Sequence, residues 1–231
     1  MAESAMQYAL PVREHSADVR VQFLRRVYGH LGGAVAAFVL LEVFLFSTGL
    51  AYAIAEFVFG TSWLLILGGF VLISWLSSSV AHRAASPPAQ YAAYTALIIA
   101  EALLFAPLLV IASLNGPPGV IAQAGMLSVI GFAGLTLVAM TSGRDFSVLG
   151  AFLKWGGIVA IIAIVAAVLF GFQLGTWFSV AMIAYAGGAI LYDTSKVLHS
   201  YPPDRAVAAS MQLFASLALL FWYVLRLLSN R

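Results

Sequence analysis

Three carboxylates, Glu42, Glu101 and Asp193, stand inside long apolar stretches of the chain. On translocon scales a charge at the centre of a membrane helix costs roughly 2.5–3.5 kcal/mol, so each is a functional candidate by default. A buried carboxyl lowers that cost by taking a proton or by pairing with a cation or hydrogen-bond donors. A group balanced between those two solutions is a pH switch or a cation site. The plain alternative, a protonated structural acid hydrogen-bonded between helices, is open for all three. The depths differ. Asp193 lies about four residues from Val197, near one membrane face. Glu101 is about ten residues into its apolar stretch, roughly 15 Å from the same face at 1.5 Å per residue. Glu42 is deeper still. His82 and His199 flank this region, and histidine is the side chain most often used as a switch in proteins, although interfacial histidines are usually just solvated.

The elements that must hold these residues are membrane helices. The 231 residues are 63% apolar and only 9% charged, with a mean hydropathy of +1.01. A soluble domain carries about half apolar and a quarter charged residues. No Asp, Glu, Lys or Arg occurs from Phe57 to His82, Ala102 to Gly143, Trp155 to Tyr192 or Ala206 to Leu225. A span needs about 20 apolar residues. The second and third of these stretches are too long for one helix and break at Asn115-Gly116-Pro117-Pro118-Gly119 and near Gly171–Gly175. Seven spans are predicted, at Val27–Phe46, Trp63–Ala81, Tyr91–Ser113, Val120–Met140, Val148–Leu169, Trp177–Leu198 and Val207–Leu228. Helices are expected because every backbone group in lipid must be satisfied within its own segment. The fold class is thus an all-α integral membrane protein. Three parts are expected: a cytoplasmic tail and interfacial lead-in helix over 1–26, the transmembrane domain over 27–228, and a short tail over 229–231. Gly49–Ser62, with Tyr52, Phe57 and Phe59, reads as a segment lying at the interface.

With seven spans, Arg13, Arg20, Arg25, Arg26, Arg83, Arg144, Lys154, Lys196 and Arg205 fall on one side, leaving Arg226 and Arg231 on the other. The positive-inside rule places the N-terminus in the cytoplasm and the C-terminus across the membrane. The first 26 residues lack the apolar run of a cleavable signal peptide. Ser16 is placed to cap a lead-in helix in which Val19, Phe23 and Val27 share a face, while a disordered stretch up to Asp18 is the alternative. Gly29 and Gly33, and Gly187-Gly188, allow close helix packing. Pro107 is placed to kink the third span. Trp63, Trp177 and Trp222 read as interface or packing aromatics.

Several functions are excluded. The net charge of +2 is small and scattered, which gives no footing for nucleic acid. The absence of cysteine removes disulfide, thiolate-metal and thiol chemistry. No phosphate loop or metal cluster occurs, and no cofactor is implied. Serine chemistry needs a histidine at membrane depth, and the one such residue, His30, is at the edge of the first span. Tyr192-Asp193 matches only the first half of an aspartyl intramembrane protease site. An enzyme is not expected.

Phe23-Leu24-Arg25-Arg26-Val27-Tyr28, Arg144-Asp145-Phe146-Ser147, Ile190-Leu191-Tyr192-Asp193-Thr194, Tyr223-Val224-Leu225-Arg226-Leu227-Leu228 and Glu101 together resemble the Bax inhibitor-1 (lifeguard) family, from about Phe23 to Leu228. The resemblance implies seven helices with the last wrapped by the other six. It also implies a bacterial-type inner-membrane protein with a pH-sensitive calcium leak, or one that modulates a membrane-bound AAA protease. Eukaryotic relatives suppress cell death and lower calcium in the endoplasmic reticulum. Leak-competent members carry an aspartate pair, one in each of the last two helices. Asp193 matches the first, and Ser216 stands at the place of the second. The family's latch between the second and sixth spans would correspond to Asp193 pairing with Arg83 or His82, and Glu101 is a replacement partner for the missing acid.

Two functional readings follow. In one, the protein is a pH-sensitive leak for calcium or protons, gated at Asp193 and continuing through Glu101, with Ser216 beside it, Arg83 and His82 as latch or gate, and Glu42 as a secondary intramembrane acid. In the other it is a non-transporting regulator that binds a membrane protein, such as that protease, through its charged N-terminal tail.

Overall fold

The computed structural model describes residues 10–83 and 86–229. The first nine residues of the expected tail, and positions 230–231 of the C-terminal one, lie outside the described residues. Eight α-helices are found there: α1 Ala17–Ser47, α2 Leu50–Phe59, α3 Trp63–Arg83, α4 Pro87–Asn115, α5 Val120–Thr141, α6 Leu149–Phe170, α7 Gly175–His199 and α8 Ala206–Ser229. All but α2 are long and apolar enough to cross a membrane, which makes seven spans. We call the side where α1 begins the proximal face and the opposite side the distal face.

The breaks occur where the backbone demands glycine or proline. Gly119 (φ 76°) and Gly171 (φ 71°) adopt the left-handed conformation at the distal turns, which a side-chain-bearing residue enters only at a cost. The lead-in and the first span form one unbroken helix, so no boundary is visible at residue 26. Nothing between Ser16 and Ser47 interrupts the hydrogen-bond ladder, since the three glycines there are tolerated inside a helix. Ser16 is the N-cap residue, though its side chain makes no capping bond. Ahead of it, the chain from residue 10 is docked on the bundle. Val12–Glu14 forms a single 3₁₀ turn, Val12 is 2% exposed, and its N–H donates to the Tyr201 carbonyl at 2.8 Å. The segment Gly49–Ser62 contains α2, which buries Ala51, Ala55 and Val58 and exposes Tyr52, Phe57 and Phe59, as an interfacial helix should.

Helix α8 is the most buried span. Helices α1, α3, α4, α5 and α7 pack along it. Small residues (Ala206, Ala208, Ala209, Ser210, Ala218) line much of its buried surface and let the backbones approach, the usual way membrane helices associate. Aromatic rings fill the centre. Phe105 of α4 meets Phe38 of α1 edge-on at 5.2 Å, stacks on Phe221 of α8 at 5.4 Å and takes Trp222 edge-on at 5.0 Å. Pro107 follows within the same helix, which continues through it.

The fifth span, α6, stands apart from the central helix, so five helices rather than all the others pack along α8. It packs mainly on α7, through glycine notches that receive two tyrosines. A Cβ on Gly157 would lie 2.8 Å from the Tyr185 hydroxyl, and one on Gly156 would lie 3.2 Å from its ring. That hydroxyl donates to the Leu153 carbonyl at 3.0 Å. Gly157→Ala must therefore displace a ring held on two sides. It should destabilise the protein by about 1–2 kcal/mol, read as a lowered Tm in detergent, with Tyr185→Phe relieving part of the loss. Gly68→Ala in α3, where an added Cβ meets nothing within 4 Å, should be neutral or stabilising.

Candidate functional site

Near its proximal end, α7 turns Asp193 toward the central helix. The residue is 2% exposed, and its Oδ2 accepts a 2.5 Å hydrogen bond from the Ser216 hydroxyl of α8. Gln212, four residues before Ser216 and so on the same face of α8, lies close enough for its amide to favour the charged carboxylate. Lys196, one turn further along α7, supplies the nearby positive charge, with its Nζ over the rings of Tyr192 (5.4 Å) and Tyr201 (5.7 Å). The site is one acid held by the Ser216 hydroxyl, with a neutral amide nearby and a cation at its mouth.

A cavity of about 340 Å³ adjoins it between α3, α4 and α8. Gln212 lines this cavity together with Glu101, Ser74, Ser78 and His82. Glu101 is 6% exposed and has no hydrogen bond or ion pair among the described residues, so its carboxyl is left to whatever fills the cavity. Glu42 lies elsewhere, packed on the inner face of α1. It is 7% exposed, and neither carboxylate oxygen has a hydrogen-bond partner. No two of the three intramembrane acids bond each other among the described residues: Asp193 meets Ser216, while neither Glu101 nor Glu42 bonds it.

The expected pairing of Asp193 with Arg83 or His82 is not seen among the described residues. Arg83 is exposed at the end of α3 and forms no salt bridge with Asp193; among the described residues the salt bridges are Arg13–Glu14 and Arg205–Asp204. The reason is helical phase, because Arg83 is turned about 100° from His82 around the α3 axis. His82 faces Tyr201. Its Nδ1 donates to the Ser78 carbonyl at 2.8 Å, which leaves Nε2 to accept from the Tyr201 hydroxyl at 2.9 Å. Burial first, then the negative charge of Asp193, pushes the Tyr201 hydroxyl well above its ordinary pKa. Tyr201 thereby joins three elements over the proximal end of the Asp193 site: His82 through its hydroxyl, Lys196 through its ring and Val12 through its carbonyl.

A second polar contact closes the same face. Asp145, in the turn before α6, accepts the Ser147 N–H at 2.9 Å and the Ser195 hydroxyl at 3.0 Å, while Ser195 Oγ accepts the Phe146 N–H at 3.0 Å. Sequence reasoning noted Arg144–Ser147 as a motif but assigned it no contact. Gln212, Tyr201 and Ser195 were missed altogether. The four-residue spacing from Gln212 to Ser216 was a usable signal for the first. Tyr201 and Ser195 gave none, since their partners are distant in sequence.

The family model described as inhibitor of apoptosis-promoting Bax1 matches residues 20–231. This chain belongs to the Bax inhibitor-1 family. Among relatives, the Golgi anti-apoptotic protein of Vaccinia virus (strain Lister) is 27% identical over 98% of this chain and 92% of its own. Bax inhibitor 1 of Schizosaccharomyces pombe (strain 972 / ATCC 24843) is 29% identical over 94% of this chain and 80% of its own. Protein lifeguard 4 of Mus musculus is 27% identical over 98% and 92%.

Two measurements probe this site. Ser216→Ala leaves a buried carboxylate short of one donor and should lower stability by about 1–3 kcal/mol, read by thermal unfolding near neutral pH, with Ser216→Thr retaining most of it. The second concerns Asp145. The Ser147 backbone N–H, and then the Ser195 hydroxyl, hold its carboxyl below the ordinary aspartate range. The clasp is therefore fully formed above about pH 4, the ordinary aspartate value, and is lost as pH falls through the lower folded-state value. The chain has no cysteine, so a spin label on Val148→Cys should show constant mobility from pH 8 to 5 and loosen only below about pH 4.

Proposed function

We propose that this Bax inhibitor-1 family protein is a pH-sensitive cation leak whose control point is Asp193. The observation that carries this reading is the Asp193–Ser216 hydrogen bond beside a cavity lined by Glu101 and Gln212. Gln212 lines the cavity and lies near enough to Asp193 to act on its charge, which links the controlling acid to the cavity. Protonation of Asp193 removes the charge that Lys196 and the Ser216 hydroxyl hold in place, and so alters the α7–α8 contact. Glu101 offers a second carboxyl deeper along the same side of α8. Calcium favours six to eight oxygen ligands, and the groups here are few, so a proton or a weakly selective cation flux fits the site at least as well as a calcium flux. The positive-inside rule places the proximal face in the cytoplasm, so Asp193 is reached from that side, as in a bacterial inner membrane.

Catalysis has little support. The nearest constellation is Asp145–Ser195–His199, in which Ser195 donates to the aspartate and His199 Nδ1 donates to the Ser195 carbonyl at 2.9 Å. A histidine nitrogen that carries its proton there cannot accept one from the serine. The regulator reading asks the N-terminal tail to reach a partner. The docking of Val12 on Tyr201 weighs against that part of the tail as a free contact arm.

Reconstitution into liposomes tests the leak. Calcium or proton flux should change between pH 6 and 8 in the wild type, and Asp193→Asn should remove the pH dependence. Flux no greater than in empty vesicles, or an Asp193→Asn profile identical to wild type, would sink the proposal.

A further inference from the structure

A second cleft, of about 430 Å³, opens sideways between α1 and α4 at the proximal face. Both helices run inward from that face, so corresponding levels of the two walls can be compared directly. At its mouth are Arg26, His30 and Tyr91; one to two turns deeper are Gly33, Thr95 and Ile98. The cleft is polar at the membrane surface and apolar below it.

The mouth is built rather than casual. His30 Nδ1 donates to the Arg26 carbonyl at 2.6 Å, and its Nε2 meets the Tyr91 hydroxyl at 2.7 Å. The rings of His30 and Tyr91 lie 5.5 Å apart, so α1 and α4 are tied together at this level. The Arg26 guanidinium has no hydrogen bond or ion pair among the described residues, and it lines the cleft while the adjacent Arg25 does not. Space below the mouth comes from Gly29 and Gly33, where an added Cβ would meet nothing within 4 Å.

We propose that this cleft binds an anionic glycerophospholipid, its phosphate on Arg26 and the start of an acyl chain along Gly29, Gly33 and Ile98. Two observations on the page choose this occupant. An unpaired guanidinium presents a fork of donors that matches phosphate oxygens, and basic clefts between spans at the proximal side suit anionic headgroups. The polar-to-apolar gradient then requires an amphipathic ligand rather than a free anion. This site is separate from Asp193 and does not depend on the leak.

The test uses the full chain in detergent micelles, with bound lipid counted by native mass spectrometry during titration with phosphatidylglycerol or phosphatidylcholine. Wild type should prefer phosphatidylglycerol by about fivefold, the ratio expected for one arginine at a lipid surface. Arg26→Gln should abolish the preference, and Arg25→Gln should keep it. Gly29→Leu should block binding of either lipid at this site while the arginine stays in place. Arg26 is exposed, so its replacement should not compromise folding. A preference unchanged in both Arg26→Gln and Gly29→Leu overturns the proposal. Displacement of phosphatidylglycerol by millimolar inorganic phosphate also overturns it, by showing a free-anion site instead.

Discussion

A carboxylate cannot be left alone in an apolar slab, and the proximal half of this molecule is organised around that constraint. Asp193 is nearly sealed from solvent, so its charge must be met by groups brought to it. The central helix supplies the Ser216 hydroxyl, and α7 itself supplies Lys196 one turn away. Holding α7 and α8 in register around this contact also fixes Gln212 against the cavity that contains Glu101. The partner is a serine rather than a second acid, and that sets the physics of the contact. Two facing acids share a proton because both cannot ionise cheaply, whereas an acid and a hydroxyl form an ordinary donor–acceptor pair in which one group titrates alone.

The two faces of the bundle are built differently. On the proximal face, contacts are polar and link segments far apart in sequence: Tyr94 to Ser210 at 2.8 Å, His82 to Tyr201, Asp145 to Ser195, Val12 to the Tyr201 carbonyl. Toward the middle the packing is aromatic, centred on Phe105, and on the distal side α2 lies against α4 through small residues. This asymmetry concentrates directional, charge-sensitive interactions where Asp193 sits. Glu42 does not share in it, since neither of its oxygens has a partner. Three hydroxyls, of Tyr28, Thr136 and Thr194, converge from α1, α5 and α7 without meeting hydrogen-bond geometry, so the reverse side of α7 is less tightly satisfied than the side that faces Ser216.

Much of the fold was legible in the chain because membrane insertion is governed by composition over windows of about 20 residues. The charge-free stretches, the Gly-Pro breaks and the interfacial aromatics of residues 49–62 are local properties, and the seven spans follow from them directly. The lead-in was less legible. Its charges suggested a separate interfacial helix, yet nothing in the backbone stops α1 between Ser16 and Ser47, and a helix without a breaker continues. The peripheral place of α6 was hidden too, because the notches at Gly150, Gly156 and Gly157 acquire meaning only when Tyr192 and Tyr185 lie against them.

The sequence by itself determined the all-helical membrane class, the number of spans, and which acids stand at unusual depth, since each of these is set by residue type along a single segment. Only the tertiary structure decided which groups meet those acids. Helical phase turned His82 toward Tyr201 and Arg83 away from it one residue apart, and set Gln212 beside Ser216 on one face of α8. The crossing of α7 and α8 placed Ser216, rather than Glu101, on Asp193. Such pairings depend on rotation and register between helices, which hydrophobicity along one helix does not encode.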